Sequence, residues 1–507
     1  MRYAIGIDLG TTAVKAILLN EEGGIVHSAS RSYPLYNPQN GWAEQDPCDW
    51  KRAVFEVLSE IGSLGHVEKE DIKGIGFSGQ MHGLVLLDGK GNPLGRSIIW
   101  CDQRSGQEAE DMKGIMPEEE WIRITGNPPI AAWTAAKYLW VRKNRPELLR
   151  ICRHILLPKD YIRFCLTGKF DTDASDASGM QMLDVEHRCW SKEILGRLGI
   201  DERLLGAVHE SQDPVGTLLP EVADACGLSS KTIVVAGAAD NAAAGVGTGV
   251  VREGDSMTSI GTSAILYSHL NHYVPVPEGK LHLCCAAIPG TWFTMGGPQA
   301  ACLSQEWFKN NFCGNLERKA EEAEQDFYDY MNDMAARIPI GSDRLLFLPF
   351  LMGERTPHLD PFMRGAFIGL SSVHTEIHML RAIMEGVSYC LADCSDIMTG
   401  LGKPISRSRA CGGGLKGRLW RQMLADIYGC DIEVLKSEEG PALGAAILAG
   451  AGSGLFANIP RVCDQFISVE KIIHPIQENI DTYRKYHEAY GRFYDCMKTE
   501  MDRLYGL

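Results

Sequence analysis

The chain has 507 residues, enough for about three domains of ordinary size or two large ones. Hydrophobic residues make up 45% and charged residues 23%, which fits a folded globular protein and excludes disorder or a fibrous repeat as the main state. The 65 acidic residues outnumber the 50 basic ones, giving a net charge of −15, so nucleic acid and anionic membrane are disfavoured as partners.

The chain opens with a strand at 4–8, apolar on both faces, a turn at 9–12 and a second strand at 13–19. After the Glu21-Glu22-Gly23-Gly24 turn a third strand runs over 25–30. A helix is expected over 46–62. Asp46 is its N-cap, Pro47 its first residue, and Trp50, Val54, Val57, Leu58 and Ile61 share its buried face. Strands at 72–78, 84–87, 97–100 and 232–237 then alternate with helices, the pattern of an α/β protein with a sheet covered on both faces. The text changes at 245–255, which places a boundary there and divides the chain into domains 1–247 and 248–507. Just beyond it, Ser256 to Ala264 echoes the opening strand–Gly-Thr–strand device, which suggests an internal duplication. A last helix, at 481–505, carries Tyr483, Tyr486, Tyr490, Phe493, Met497, Met501 and Leu504 at helical spacing. Packing against its own domain is the first reading of that stripe and a homodimer interface the second. No apolar run is long enough to span a membrane and no signal peptide opens the chain. The 16 cysteines are scattered and mostly on apolar faces, as reduced thiols of a cytoplasmic protein would be.

Four stretches can carry chemistry. Asp8-Leu9-Gly10-Thr11-Thr12 puts a carboxylate beside a tight turn whose N–H groups and hydroxyls can face a phosphate, while the Asp can hold Mg²⁺ directly or through water. Gly261-Thr262-Ser263 is a similar turn in the second half, and ordinary hairpins also use such residues. In Ala238-Ala239-Asp240-Asn241, small residues leave an Asp at the mouth of a helix, where it can accept a proton from a hydroxyl or merely cap the helix. Cys411-Gly412-Gly413-Gly414 lies before a helix at 418–428 and lets a flat ring or a phosphate lie against the backbone. Downstream, Gly440 to Ala446 opens a helix of small residues that could pack close behind that glycine turn. His282-x-Cys284-Cys285 has no second ligand pair at zinc spacing and reads as structural thiols.

These stretches occur in one order with Gly79-Gln80-Met81-His82-Gly83, Trp100-x-Asp102-x-Arg104, Thr134-x-x-Lys137-x-x-Trp140, Leu157-Pro158-Lys159-Asp160-Tyr161, Thr172-Asp173-Ala174-Ser175-Asp176 and Gly353-Glu354-Arg355-Thr356-Pro357. The ordered set resembles the FGGY carbohydrate kinases, over about residues 3–450. Within the family, Gln-Met-His-Gly with Trp-x-Asp-x-Arg is similar to the members that phosphorylate D-xylulose to D-xylulose 5-phosphate. A kinase for ribulose, ribitol or gluconate is the alternative within the family, and an actin-like structural or chaperone protein the alternative from another class.

The resemblance implies two actin-like (ribonuclease H-like) α/β domains with a cleft between them, binding a sugar and ATP with Mg²⁺. It makes Asp240 the general base, with Asp8 near the reacting oxygen and the Mg²⁺. It assigns Met81, His82, Asn241, Asp240, Trp100 and Asp102 to the sugar. Thr11, Thr12, Lys15, Gly261 and Thr262 would line the phosphates, and Gly412, Gly413 and Gly414 would lie under the adenosine. A structural ion pair of Asp102 with Arg104 is weighed equally with a sugar-site role. Family members often have Gly-Gly before the Asp-Asn. Here Ala238-Ala239 stand there, and two added methyls adjust the geometry of the pocket.

Overall fold

The computed structural model describes residues 1–437 and 439–506. Strands β1 (Tyr3–Leu9) and β2 (Ala13–Asn20) form the expected hairpin, and β3 (Ile25–Ser32) pairs antiparallel with β2. Helix α1 (Pro47–Gly62) starts where Asp46 predicts. The Asp46 carboxylate accepts from Cys48 N at 2.9 Å, and Trp50, Val54, Val57, Leu58 and Ile61 are buried on one face. Strand β4 (Ile72–Gly79) runs parallel to β1 on its other side. Strands β5 (Pro214–Thr217) and β6 (Ile233–Val235) complete a sheet in the order β5-β6-β4-β1-β2-β3. A short β7 (Ala238–Ala239) pairs with the end of β4 and leads straight into helix α2 (Asp240–Gly247).

The second half repeats the plan. Strands β8 (Asp255–Ile260) and β9 (Ala264–Leu270) make a central hairpin. Strands β10 (His282–Cys285) and β11 (Trp292–Gly296) add antiparallel on the β9 side. Strand β12 (Arg407–Cys411), helix α3 (Arg418–Tyr428) and strand β13 (Asp431–Leu435) follow, both strands parallel on the β8 side. Helix α4 (Pro441–Gly452) and strand β14 (Val469–Ile473) precede the last helix, α5 (Gln477–Tyr505). The sheet order is β10-β11-β9-β8-β12-β13-β14. The sequence echo at 256–264 thus occupies the same central hairpin position as residues 4–19, with parallel strands on one side and antiparallel strands on the other.

Helix α4 is where the structure departs most from the sequence reading. It packs on the first sheet rather than behind the glycine turn at 412–414. Ala442, Ala445 and Ala449 lie on one helical face and press on β1 and β4 at Gly6 and Gly76. A Cβ there would fall 2.0 Å from Ala442 O and 2.2 Å from Ala445 O. The same helix meets α2 at a backbone crossing, where a Cβ on Gly444 would lie 1.9 Å from Ala243 O. Only glycine permits this approach.

One smaller difference remains. The strand expected over 97–100 is reduced to Ser97–Ile98, and Trp100 is 41% exposed in the turn that follows. The α5 stripe follows its first reading from Tyr483 to Met501, with Tyr483 and Tyr490 buried and Tyr486, Phe493, Met497 and Met501 packed against the core of the second domain, while Leu504 is exposed. Among the described residues no helix is long and apolar enough to cross a membrane.

Candidate active site

In an open α/β sheet, ligands bind beyond the carboxyl ends of the parallel strands. Here three such ends meet. Asp8 on β1 and Ala238 on β7 both stand opposite Ser78 of β4, and Asp240 follows β7 by one residue. Ser78 Oγ donates to Asp8 Oδ1 at 2.8 Å. The Asn241 backbone N and Nδ2 both donate to Asp240 Oδ1, at 2.6 and 2.8 Å. No described hydrogen bond uses Asp240 Oδ2. Desolvation lifts the Asp240 pKa to about 7, and the Asp8 charge adds to the rise despite the two Asn241 bonds. Asp8 is itself raised, chiefly by burial, against the Ser78 bond and the charge of Lys15. Glu439 contributes to that rise, so a third carboxylate stands close by.

The Gln80-Met81-His82 segment continues from β4 beside this pair. His82 adopts φ +67°, unusual for a residue with a Cβ. Its carbonyl is clamped by Lys137 Nζ at 2.8 Å and Thr134 Oγ1 at 3.1 Å. The Lys137 ammonium is fully buried on backbone carbonyls, and desolvation pulls its pKa down to about 7. His82 Nδ1 lies 3.0 Å from Gly179 O. A carbonyl only accepts, so Nδ1 carries the proton. Burial, with the Lys137 charge, holds the ring pKa well below its ordinary value. The imidazole is therefore neutral, with Nε2 as a hydrogen-bond acceptor. Met81 is buried, and Asn241 Nδ2 approaches its sulfur at 3.9 Å.

Trp100 and Asp102 divide. The Trp100 indole N–H donates to Thr11 Oγ1 at 3.0 Å, which ties this loop to the first Gly-Thr turn. Asp102 is fully buried with both oxygens taken. Oδ1 accepts from Arg104 N at 2.8 Å, while Oδ2 accepts from Ala43 N at 2.6 Å and pairs with the Arg104 guanidinium at 2.7 Å. Of the two roles weighed, its geometry is the structural one, a brace for the turn after Ile98.

The two Gly-Thr turns share a pattern. In the first, the Tyr33 hydroxyl donates to Gly10 O, and Gln45 Nε2 donates to Thr11 O at 2.6 Å. In the second, Cys302 N donates to Gly261 O at 3.0 Å and Ala301 N to Thr262 O at 2.9 Å. In each, the protein satisfies the carbonyls and leaves an exposed Thr hydroxyl, on Thr12 and on Thr262. Gly412, at φ +84°, lies against the end of β8, where a Cβ would meet Ile260 O at 2.5 Å. The register of Ser259 with Cys411 sets the glycine turn at Gly412, Gly413 and Gly414 beside Gly261 and Thr262. Lys15, opposite Asp8 on the hairpin, reaches across to an ion pair with Glu439, just before α4.

Sequence reasoning missed Glu439, Ser78, Lys137 and Gly179. Nothing local separates Glu439 from an ordinary surface acid. Lys137 did carry a signal, as the charged residue of the Thr134-x-x-Lys137 spacing on a helix with a buried face.

Comparison with known proteins adds an independent line. Residues 3–247 match the N-terminal domain, and residues 256–453 the C-terminal domain, of the FGGY family of carbohydrate kinases. The chain is 39% identical over 498 residues to a xylulose kinase of Bacillus subtilis, covering 98% of each. It is 32% identical over 490 residues to a gluconokinase of the same organism, covering 95% of this chain and 93% of the relative. It superposes on the crystal structure of ligand-bound xylulose kinase from Lactobacillus acidophilus with a TM-score of 0.92 at 28% identity, over 99% and 100% of the two chains.

Proposed function

The chain belongs to the FGGY family of carbohydrate kinases, and from that premise we propose that it transfers the γ-phosphoryl group of ATP to D-xylulose. It is a carbohydrate kinase with two actin-like α/β domains, which sets aside the reading as a filament or chaperone. The observation that carries the proposed reaction is the Asp240 carboxylate. It faces the Asp8 charge, with one oxygen held by Asn241, whose amide also approaches the Met81 sulfur, and the other uncommitted.

The proposed steps follow from those groups. His82 Nε2 accepts from one sugar hydroxyl, while Asn241, Met81 and Trp100 bound the pocket. The terminal hydroxyl oxygen attacks the γ-phosphorus in line, its proton passes to Asp240, and ADP leaves. Alignment supplies much of the effect, so a carboxylate of moderate basicity suffices. Thr11, Thr12, Gly261 and Thr262 would present N–H and hydroxyl groups to the phosphates, and Gly412, Gly413 and Gly414 would receive the adenosine. Two neighbouring carboxylates, Asp8 and Glu439, fit a divalent cation, because the Glu439 charge raises the cost of ionising Asp8 and a cation would relieve it. Bound there, Mg²⁺ would offset the phosphate charge in a protein of net charge −15.

The test is ADP release by the purified protein against D-xylulose, ribulose, ribitol and gluconate. D-Xylulose should give the highest kcat/KM; release from another sugar alone removes the xylulose assignment. Two further results are expected. The base must be ionised to accept a proton, so kcat/KM for the sugar should fall as pH drops through about 7, and a flat profile across that range would count against Asp240. Lys15→Met should raise the KM for ATP roughly ten- to a hundredfold, since a hydrogen bond to a charged group is worth about 1.5–3 kcal/mol. An unchanged KM in steady-state titrations would place Lys15 off the phosphates.

A further inference from the structure

Five charged side chains meet in the first domain, shut off from solvent: Lys159, Asp160, Arg163, Asp173 and Asp176 are each 0% exposed. Lys159 Nζ lies 2.6 Å from Asp160 Oδ1, 2.6 Å from Asp173 Oδ1 and 3.3 Å from Asp176 Oδ2. Arg163 Nη1 lies 2.9 Å from Asp160 Oδ1. The three carboxylates are near enough to one another to hold a metal ion, but the Lys159 ammonium already stands among them. Burying such groups costs several kcal/mol per ion, and apolar replacements of similar volume are often as stable. Asp173 also caps the short helix Ala174–Ala177, accepting from Ser175 N at 2.8 Å, but that needs only one carboxylate of the three.

The cluster also makes bonds outward. Arg163 Nη1 donates to Ala236 O at 2.6 Å. Asp173 Oδ2 accepts the Ser175 hydroxyl proton at 2.5 Å, and Ser175 Oγ in turn accepts from Ala239 N at 3.0 Å. Lys159 also packs its side chain on the end of β4, where a Cβ on Gly79 would fall 2.7 Å from Lys159 Cβ. The contacts at Ala236 and Ala239 bracket the turn that delivers Asp240. The Ser175 hydroxyl has one proton and gives it to Asp173, so its lone pair is fixed on the Ala239 amide, and the ammonium at the far end strengthens the chain.

We infer that Ser175 and Asp173 are positioning residues for Asp240. The chain Lys159–Asp173–Ser175–Ala239 fixes the direction in which α2 begins, and with it the point where the carboxylate meets the acceptor hydroxyl. The inference rests on Asp240 as general base. A displacement near 1 Å at such a centre lowers the rate by ~10²-fold.

Ser175→Ala should lower kcat by ~10–100-fold, the cost of such a displacement. The KM values for sugar and ATP should stay at parental levels, and the melting temperature should fall only by the few degrees that one unpaired buried N–H costs. The acid limb of the kcat–pH profile should move to lower pH as the carboxyl relaxes toward water. Ser175→Thr, which keeps the hydroxyl, should recover most of the turnover. The inference is overturned if Ser175→Ala turns over at the parental rate. It is equally overturned if both KM values rise together with the loss of kcat, or if Ser175→Thr is as impaired as Ser175→Ala. Asp240→Asn assayed alongside separates the two claims. An active Asp240→Asn removes the general-base reading itself, whereas an inactive one beside a parental Ser175→Ala removes only the positioning role.

Discussion

Asp240→Asn is expected to lower turnover by ~10²–10⁴-fold, the range for removing a general base, while ATP still binds. The amide keeps an oxygen for the Asn241 donors, so the loss reports the missing proton acceptor rather than a collapsed turn. The same substitution should stabilise the fold above neutral pH. In the folded protein Asp240 holds its proton up to about pH 7; in the unfolded chain an Asp releases it near pH ~3.9. The native state therefore binds more protons between those values, and the charged carboxyl weakens the fold as pH rises through them. The variant should melt higher than the parent above pH 7 and converge with it toward acid. Thermal melts at both extremes, with steady-state kinetics, check the pair. A variant both active and no more stable would refute the assignment.

The second large effect is a steric one. Gly444→Ala and Gly491→Ala are the same change, each in a helix, with opposite expected signs. At Gly491 an added Cβ meets nothing within 4 Å. The substitution should therefore stabilise by roughly 0.5–1 kcal/mol, the ordinary gain of Ala over Gly in a helix. At Gly444 the Cβ would sit 1.9 Å from Ala243 O, a backbone atom that no rotamer change can move. Overpacking costs about 1–3 kcal/mol where side chains can adjust, so a backbone clash should reach or exceed that and outweigh the helix gain. Because α4 crosses α2 there, and α2 starts with Asp240, turnover should fall as well. Urea denaturation of both variants decides the matter; equal stability would mean the helices are free to separate.

Much of the site could be read from residues alone because its parts are local. Asp8 and its Gly-Thr turn, Asp240 with Asn241, and the glycines at 412–414 each sit at a strand end within a few residues, where backbone pattern and chemistry coincide. The hairpins and α1 were legible for the same reason, from alternation, a cap and a helical stripe. What stayed hidden depends on parts distant in sequence. Helix α4 is apolar all round, and glycines hundreds of positions earlier, Gly6, Gly74 and Gly76, select the face it lays on the first sheet. Glu439 gains meaning from Lys15, and Ser175 from Ala239. Asp102 looked equally suited to sugar or scaffold until its partners, Ala43 and Arg104, were seen to occupy both oxygens.

The seat of α4 also orders events during synthesis. The groove over β1 and β4 is made by residues 3–9 and 72–79, yet the helix that fills it is contributed by residues 441–452, translated hundreds of residues later. Until those emerge, the nascent chain lacks the helix whose backbone lies against Gly6, Gly74 and Gly76. The first domain is thus completed by residues 441–452, and a polypeptide stopped between the two halves would carry an unfilled, adhesive furrow.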